Sequence, residues 1–281
     1  MIEVKNVSYT YMSGGPFETA ALKNVSLSLA DGEFIGLMGH TGSGKSTLVQ
    51  IIGGLEKPTE GSVVIDGQTL HSKECDMRAM RFKIGLVMQY PEYQLFEETV
   101  FRDIAFGPTN MELSEQEIRD RVELAADLAG VKRELLEKSP FELSGGQKRR
   151  AAIAGILAMQ PKILILDEPT AGLDPAGREE LLHKIRDLHK RLGITVLFVS
   201  HSMEDIASMA DRIIVMNRGE AVMSGRPGEI FSRAEQLRGM GLSVPGITDI
   251  CDGLRKRGMP LPEGIYTMDR AVSEIERLLK K

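Results

Sequence analysis

Phe34-Ile35-Gly36-Leu37-Met38 runs directly into Gly39-His40-Thr41-Gly42-Ser43-Gly44-Lys45-Ser46-Thr47, and a helical pattern, Ser46–Ile52, follows at once. The middle stretch satisfies GxxxxGK[ST] in the context that gives the motif meaning, after an apolar strand and at the start of a helix. Glycines at these positions let successive backbone N–H groups turn inward around phosphate oxygens, and the helix N-terminus adds partial positive charge. Lys45 is placed to neutralise β and γ oxygens, and the Ser46 hydroxyl to ligate Mg²⁺. The alternative, a glycine-rich turn with no ligand, does not call for the lysine and hydroxyl at this spacing. The stretch therefore predicts nucleoside triphosphate binding.

Further along, Ile163-Leu164-Ile165-Leu166 ends in Asp167-Glu168. A buried parallel strand with this ending delivers two carboxylates to the sheet edge where the phosphate loop lies. There Asp167 can hold the hydration shell of Mg²⁺ and Glu168 can accept a hydrogen bond from an attacking water. Around these two strands the chain alternates short apolar strands with amphipathic helices, an α/β pattern, after a more β-rich opening. The other strand candidates are Ile2–Val7, Ala21–Leu29, Ser62–Ile65, Ile84–Met88, Thr195–Ser200 and Arg212–Met216, the last continued by a hairpin through Asn217-Arg218-Gly219 to Ala221–Met223. Ser114 and Glu117 form a capping-box pattern before the run Ile118–Leu128, which Gly130 ends. Asp174-Pro175 opens another helix that Gly193 stops. Residues from about 90 to 160 carry helices without an evident strand and read as a helical subdomain. From about 238 onward glycines and prolines punctuate two short helical patterns, Ile247–Lys256 and Met268–Leu279. The division expected is an ATPase domain over 1–237 and a helical extension over 238–281.

The 281 residues are 42% hydrophobic and 27% charged, which excludes collagenous and wholly disordered classes. A net charge of −5 argues against nucleic acid as a partner bound through overall charge. The basic run Lys148-Arg149-Arg150 leaves a local patch open, beside a solvated helix face or a local structural role. No apolar run approaches the roughly 18 residues that cross a bilayer, and the N-terminal residues lack a signal-peptide pattern, so the expected compartment is the cytosol. Cys75 and Cys251 lack any CxxC spacing and read as reduced thiols.

Leu143-Ser144-Gly145-Gly146-Gln147 precedes the acidic strand, and this order resembles the ATP-binding cassette (ABC) family. By itself, Ser144 with Gln147 is an S-x-x-Q helix cap, and both readings hold together, because a capped helix N-terminus is also a phosphate ligand. The resemblance implies an ABC fold, with a P-loop core, an antiparallel β subdomain and the inserted helices. It also implies that Ser144, Gly145, Gly146 and Gln147 reach ATP held by a second ATPase subunit in a head-to-tail dimer. Tyr11 resembles the aromatic that stacks on adenine, with Tyr9 as its rival. Gln89 resembles the glutamine that touches Mg²⁺ and water, Asp174 the end of the D-loop, and His201 the switch histidine at the γ-phosphate. The interval from Lys45 to Asp167 has no room for the long coiled-coil insertion of chromosome-maintenance relatives.

Gln89-Tyr90-Pro91-Glu92-Tyr93-Gln94-Leu95-Phe96, then Phe106-Gly107-Pro108 and Pro140-Phe141-Glu142, resemble the ATPases of energy-coupling factor importers, and the phosphate-loop sequence is more similar to the second of their two paralogues. That resemblance implies a transmembrane coupling protein, a membrane substrate-binding protein and a peripheral place on the cytoplasmic membrane face. It also implies cargo such as a vitamin, nickel or cobalt, and a C-terminal extension that supports dimer contact. Tyr90, Tyr93, Leu95 and Phe96 offer apolar surface to the coupling protein or pack inside the helical subdomain. The rival class is a soluble ABC ATPase serving assembly, repair or regulation.

Overall fold

The computed structural model describes residues 1–279. Among the described residues, ten strands and eleven α-helices follow one another as β1 (Ile2–Tyr11), β2 (Thr19–Leu29), β3 (Phe34–Met38), α1 (Lys45–Ile52), β4 (Glu60–Ile65), β5 (Gln68–Thr69), α2 (Met77–Lys83), β6 (Ile84–Val87), α3 (Val100–Asn110), α4 (Glu115–Ala129), α5 (Gly145–Leu157), β7 (Ile163–Asp167), α6 (Pro175–Leu192), β8 (Thr195–Val199), α7 (Met203–Met209), β9 (Arg212–Asn217), β10 (Glu220–Gly225), α8 (Pro227–Phe231), α9 (Ala234–Gly239), α10 (Gly246–Lys256) and α11 (Met268–Leu279).

Six strands form the central sheet in the order β10-β9-β3-β8-β7-β6. Its pairings are parallel except for the β9–β10 hairpin. Strands β3, β7 and β8 are buried at every residue, which is why they read as unbroken apolar runs and not as alternation. A second, antiparallel sheet, β2-β1-β4-β5, packs against one face of the first, and their shared core holds Val4, Leu22, Ile35, Leu48, Ile65 and Ile165. The opposite face is covered by helices, whose core runs from Phe34, Phe198 and Val215 out to Val122 and Ala154.

Strands β1 and β2 run longer than hydropathy indicates, because Tyr9, Thr10 and Tyr11 pair with Leu22, Ala20 and Thr19 across two half-polar ribbons. The helix α2 escaped the pattern reading as well; it is a single short stretch capped by Asp76, whose carboxylate accepts from the N–H groups of Arg78 and Ala79. Both capping boxes, Ser114/Glu117 and Ser144/Gln147, form as the spacing predicts. Leu242 and Val244 still pack into the main core, whereas Cys251, Leu261, Ile265 and Ala271 make a small core of their own. Of the expected extension, residues 280 and 281 lie outside the described residues.

Candidate active site

The order of the central sheet assembles the site. β3, β8, β7 and β6 are successive neighbours and parallel, so the residues leaving their C-terminal ends emerge side by side. Gly39–Thr47 follows β3, His201 follows β8, Asp167 ends β7 with Glu168 next, and Gln89 follows β6. Register keeps them level: Leu37 and Asp167 both lie opposite Val199, and Val87 lies opposite Leu166.

The phosphate loop is held from two sides. Gly44 has φ +99°, and a Cβ there would lie 2.7 Å from the Ala21 carbonyl oxygen of β2. The Gly219 N–H of the β9–β10 turn donates to the Ser43 carbonyl at 3.0 Å. No side chain larger than hydrogen fits between these walls, and the left-handed backbone favours glycine independently. His40 engages both ring nitrogens, Nδ1 with the Thr41 carbonyl at 2.7 Å and Nε2 with the Asn217 amide oxygen at 3.1 Å. Lys45 is buried, and its Nζ donates to the carbonyls of Gly39 at 2.7 Å and His40 at 3.1 Å. Burial lowers the pKa of this ammonium, against the opposing charges of Glu168 and Asp167. The Ser46 side chain is exposed, whereas the Ser43 hydroxyl is buried without a hydrogen-bond partner.

Both acids are buried. Desolvation raises Asp167, with Lys45 pulling the other way. Desolvation pushes Glu168 up to about 7, with Asp167 and Asp205 adding repulsion and the His201 backbone N–H and Lys45 acting against it. One Glu168 carboxylate oxygen has no hydrogen-bond partner; the His201 Nε2 lies 3.4 Å away. His201 is itself shifted down, by burial first and then by Lys45, which favours the neutral ring. The backbone at Glu168 is left-handed, φ +52°, a strained conformation for this residue type. It is over-determined by its surroundings: its N–H donates to Val199, its carbonyl accepts from Ala171, and Arg149 grips the carbonyls of Pro169 and Ala171.

The two tyrosines separate by environment. The Tyr9 hydroxyl donates to Glu56 at 2.8 Å, a bond that, with burial, pushes its pKa to about 12, and its ring packs on the core. Tyr11 is exposed, stands edge-on to Tyr9 and lies 3.1 Å through its hydroxyl from the Thr47 hydroxyl, beside the phosphate loop. Gln89 is exposed past β6. Asp174 caps α6 by accepting from the Gly177 N–H at 2.7 Å.

Ser144 and Gln147 spend their hydrogen bonds on each other's backbone, and a Cβ on Gly145 or Gly146 meets nothing within 4 Å. Among the described residues, no hydrogen bond or ion pair joins this helix start to the phosphate loop of the same chain. Ser144 and Gly145 are exposed, so the helix N-terminus, with its partial positive charge, is open to solvent.

The run Lys148-Arg149-Arg150 is not one patch. Arg149 is 3% exposed and makes a two-pronged ion pair with Glu92, at 2.7 and 3.0 Å, while Lys148 lies over the Phe141 ring and Arg150 faces Glu180. A sequence signal for this existed: Arg149 is four and eight residues before the buried Ile153 and Leu157, on the same helix face. Arg178, Asp205 and Thr170 also meet near the site, and nothing local in the sequence marks their pairing.

The chain matches the ABC transporter family over residues 22–171. It is 56% identical over 279 residues to the energy-coupling factor transporter ATP-binding protein EcfA2 of Caldanaerobacter subterraneus, covering 99% of this chain and 98% of that protein. To the EcfA2 of Clostridium tetani it is 50% identical, covering 99% and 96%. Among solved structures, cbiO1 of Clostridium perfringens, part of the ABC transporter complex cbiONQ, superposes with a TM-score of 0.76 at 38% identity, covering 89% of this chain and 98% of that one. A dimeric ATP-binding cassette, MJ0796, bound to ADP and phosphate after hydrolysis, superposes with a TM-score of 0.72 at 34% identity, covering 80% and 98%.

Proposed function

The chain belongs to the ABC transporter family, in its branch of energy-coupling factor ATP-binding proteins, and from that premise we propose how its residues work as the ATPase of an importer. The observation that carries the reading is the buried Glu168 carboxylate, with one unpartnered oxygen, level with the phosphate loop and beside His201.

ATP lies along the phosphate loop with adenine against Tyr11. Its phosphates take the N–H groups of residues 39–47, and Lys45 leaves the Gly39 and His40 carbonyls to bind the β and γ oxygens. The donor set suits Mg²⁺: the exposed Ser46 hydroxyl, the Asp167 carboxylate and the Gln89 amide oxygen are hard oxygen ligands, and Asp167 already faces a cation in Lys45. When bound, Mg²⁺ neutralises charge on the β- and γ-phosphates. Glu168 accepts a hydrogen bond from a water, which attacks the γ-phosphorus in line while its proton passes to the Glu168 carboxylate. The bond from that phosphorus to the β–γ bridging oxygen breaks, and ADP leaves with the electron pair. His201 and Lys45 stabilise the charge on the transferred group.

The open helix start at Ser144 to Gln147 binds the γ-phosphate held by a second ATPase subunit, a paralogue or a copy of this chain. ATP then bridges the two subunits, and hydrolysis removes the bridge. Motion leaves through the segment after Gln89. Phe96, Phe106 and Ile156 line a groove of about 300 Å³ there, with the Asp103 carboxylate fixing the Phe96 and Glu97 N–H groups at its rim. Leu95 lines it as well and packs against the main core, whereas Tyr90 and Tyr93 are exposed. A coupling helix of a transmembrane protein suits this groove, and that protein carries the membrane substrate-binding subunit for a vitamin or transition-metal ion. Among the described residues no helix is long and apolar enough to cross a membrane, which fits a peripheral place on its cytoplasmic face.

The test is to purify the tagged Glu168→Gln chain with ATP from gently solubilised native membranes. Recovery of a multi-spanning coupling protein, together with loss of roughly 10²- to 10⁴-fold in turnover relative to wild type, is the expected result. Recovery from the soluble fraction alone, with no membrane protein, overturns the importer assignment in favour of an ABC ATPase of assembly, repair or regulation.

A further inference from the structure

Asp205, on the first turns of α7, is 3% exposed and receives hydrogen bonds from two other elements. Arg178 of α6 donates to it through Nε, at 3.0 and 3.1 Å to the two carboxylate oxygens, and through Nη2 at 2.7 Å. The Thr170 hydroxyl, two residues beyond Glu168, donates to it at 3.2 Å. Arg178 also bonds the hydroxyl of Ser202, the residue after His201, and that hydroxyl caps the N–H of Asp205 at 3.1 Å.

We propose that Asp205, Arg178 and Thr170 form a positioning clamp that ties the Pro169–Asp174 loop to the loop bearing His201, so that Glu168 and His201 keep one relative placement during hydrolysis. The inference rests on the roles given above to those two residues.

Cohesion alone does not call for this arrangement. Asp174 and Ser202 already cap α6 and α7, and both helices bury apolar side chains such as Leu181, Ile185, Ile206 and Met209. A buried carboxylate is costly unless its partners stay in reach, so Asp205 holds Arg178 and Thr170 at fixed distances in a way that slippery apolar contacts do not. The Arg178 side chain is more than a third exposed, and its backbone N–H donates to the Asp174 carbonyl at the N-terminal end of α6. A displacement of that helix end by a second subunit therefore pulls on Ser202, and with it His201. By the same bonds, Thr170 restrains the short stretch that leads back to the left-handed Glu168.

The experiment measures ATP turnover, the KM for ATP and the melting temperature of the full chain in its native membrane complex, for wild type and for Thr170→Val, Arg178→Ala, Arg178→Lys and Thr170→Val with Arg178→Ala. Thr170→Val is nearly the same shape without the donor to Asp205, and the expected result is kcat lowered about 3- to 10-fold with the KM within about twofold, in a chain that stays folded at the assay temperature. For Arg178→Ala we expect a loss of roughly 10- to 100-fold in kcat, partly restored in Arg178→Lys, and less than multiplicative effects in the double variant. Normal kcat in Thr170→Val and Arg178→Ala, whatever their melting temperatures, overturns the clamp. So does a loss of activity that only tracks the loss of folded protein. Glu168→Gln is the control: if it turns over like wild type, the assignment of Glu168 falls and the clamp with it, whereas an inactive control beside normal clamp variants removes the clamp alone.

Discussion

Glu168→Gln should make the nucleotide-free chain more stable at pH 8, not less. The wild-type carboxyl is buried with one oxygen unpartnered and is pushed from 4.5 up to about 7. A folded pKa above the unfolded one means that the protonated group favours folding. That contribution is complete below pH 4.5, fades as pH rises through 7, and is gone at pH 8. At about 1.4 kcal/mol per pH unit, ionising the folded group at pH 8 costs about 3 kcal/mol. The site opens to solvent on one side, which reduces this to ~1.5–2 kcal/mol. Glutamine keeps the shape without the charge, and for a chain of this size the gain is worth about 3–6 °C in melting temperature. Thermal unfolding with EDTA and no nucleotide, at steps between pH 5.5 and 8.5, measures it. The two proteins should converge towards pH 5.5 and separate as pH rises. Equal melting temperatures and equal slopes at every pH would refute the account of Glu168 as a desolvated, uncompensated carboxylate.

Gly145→Asp places an acid on a helix N-terminus with open space around it, so stability should hold or rise by ~0.3–1 kcal/mol, while ATP turnover falls because the acid repels the other subunit's phosphate. Melting curves beside ATPase rates check it, and unchanged turnover would deny the signature its place at the second subunit. Tyr11→Ala should raise the KM for ATP about tenfold, in line with ~1–1.5 kcal/mol of stacking; Tyr9→Phe should leave the KM unchanged and cost ~1 kcal/mol of stability through its lost bond to Glu56. Arg149→Met strands the half-buried Glu92 and should cost ~3–5 kcal/mol in urea unfolding, with part recovered in Arg149→Met with Glu92→Gln. The hydrogen bond from Arg212 holds the Glu33 carboxyl below its ordinary 4.5, so its contribution to stability is present above that value and lost as pH falls through the lower folded one. Arg212→Met should flatten the acid limb of the stability curve.

The phosphate loop and the two acids were legible because each lies in a short contiguous word whose backbone setting is local: a strand, a glycine turn and a helix start for residues 34–52, an apolar strand with an acidic end for 163–168; Tyr11, Gln89, His201 and the Ser144–Gln147 stretch drew their proposed roles from family resemblance instead. Parallel strands that alternate with helices then bring such words to one edge, so the α/β core and the phosphate site were contained in local pattern alone. What local pattern did not contain was how distant side chains meet. Arg149 and Glu92 are 57 residues apart, and Arg178 is 27 from Asp205; in one dimension each is an ordinary charged residue on a helix or a turn. The different environments of Tyr9 and Tyr11 were likewise closed to sequence, since both sit on one strand face and their partners, Glu56 and Thr47, come from distant segments. Hydrophobic periodicity reports which face of an element leaves water. Which neighbour that face meets, and whether a buried charge finds its counter-charge there, depends on the packing of the whole chain.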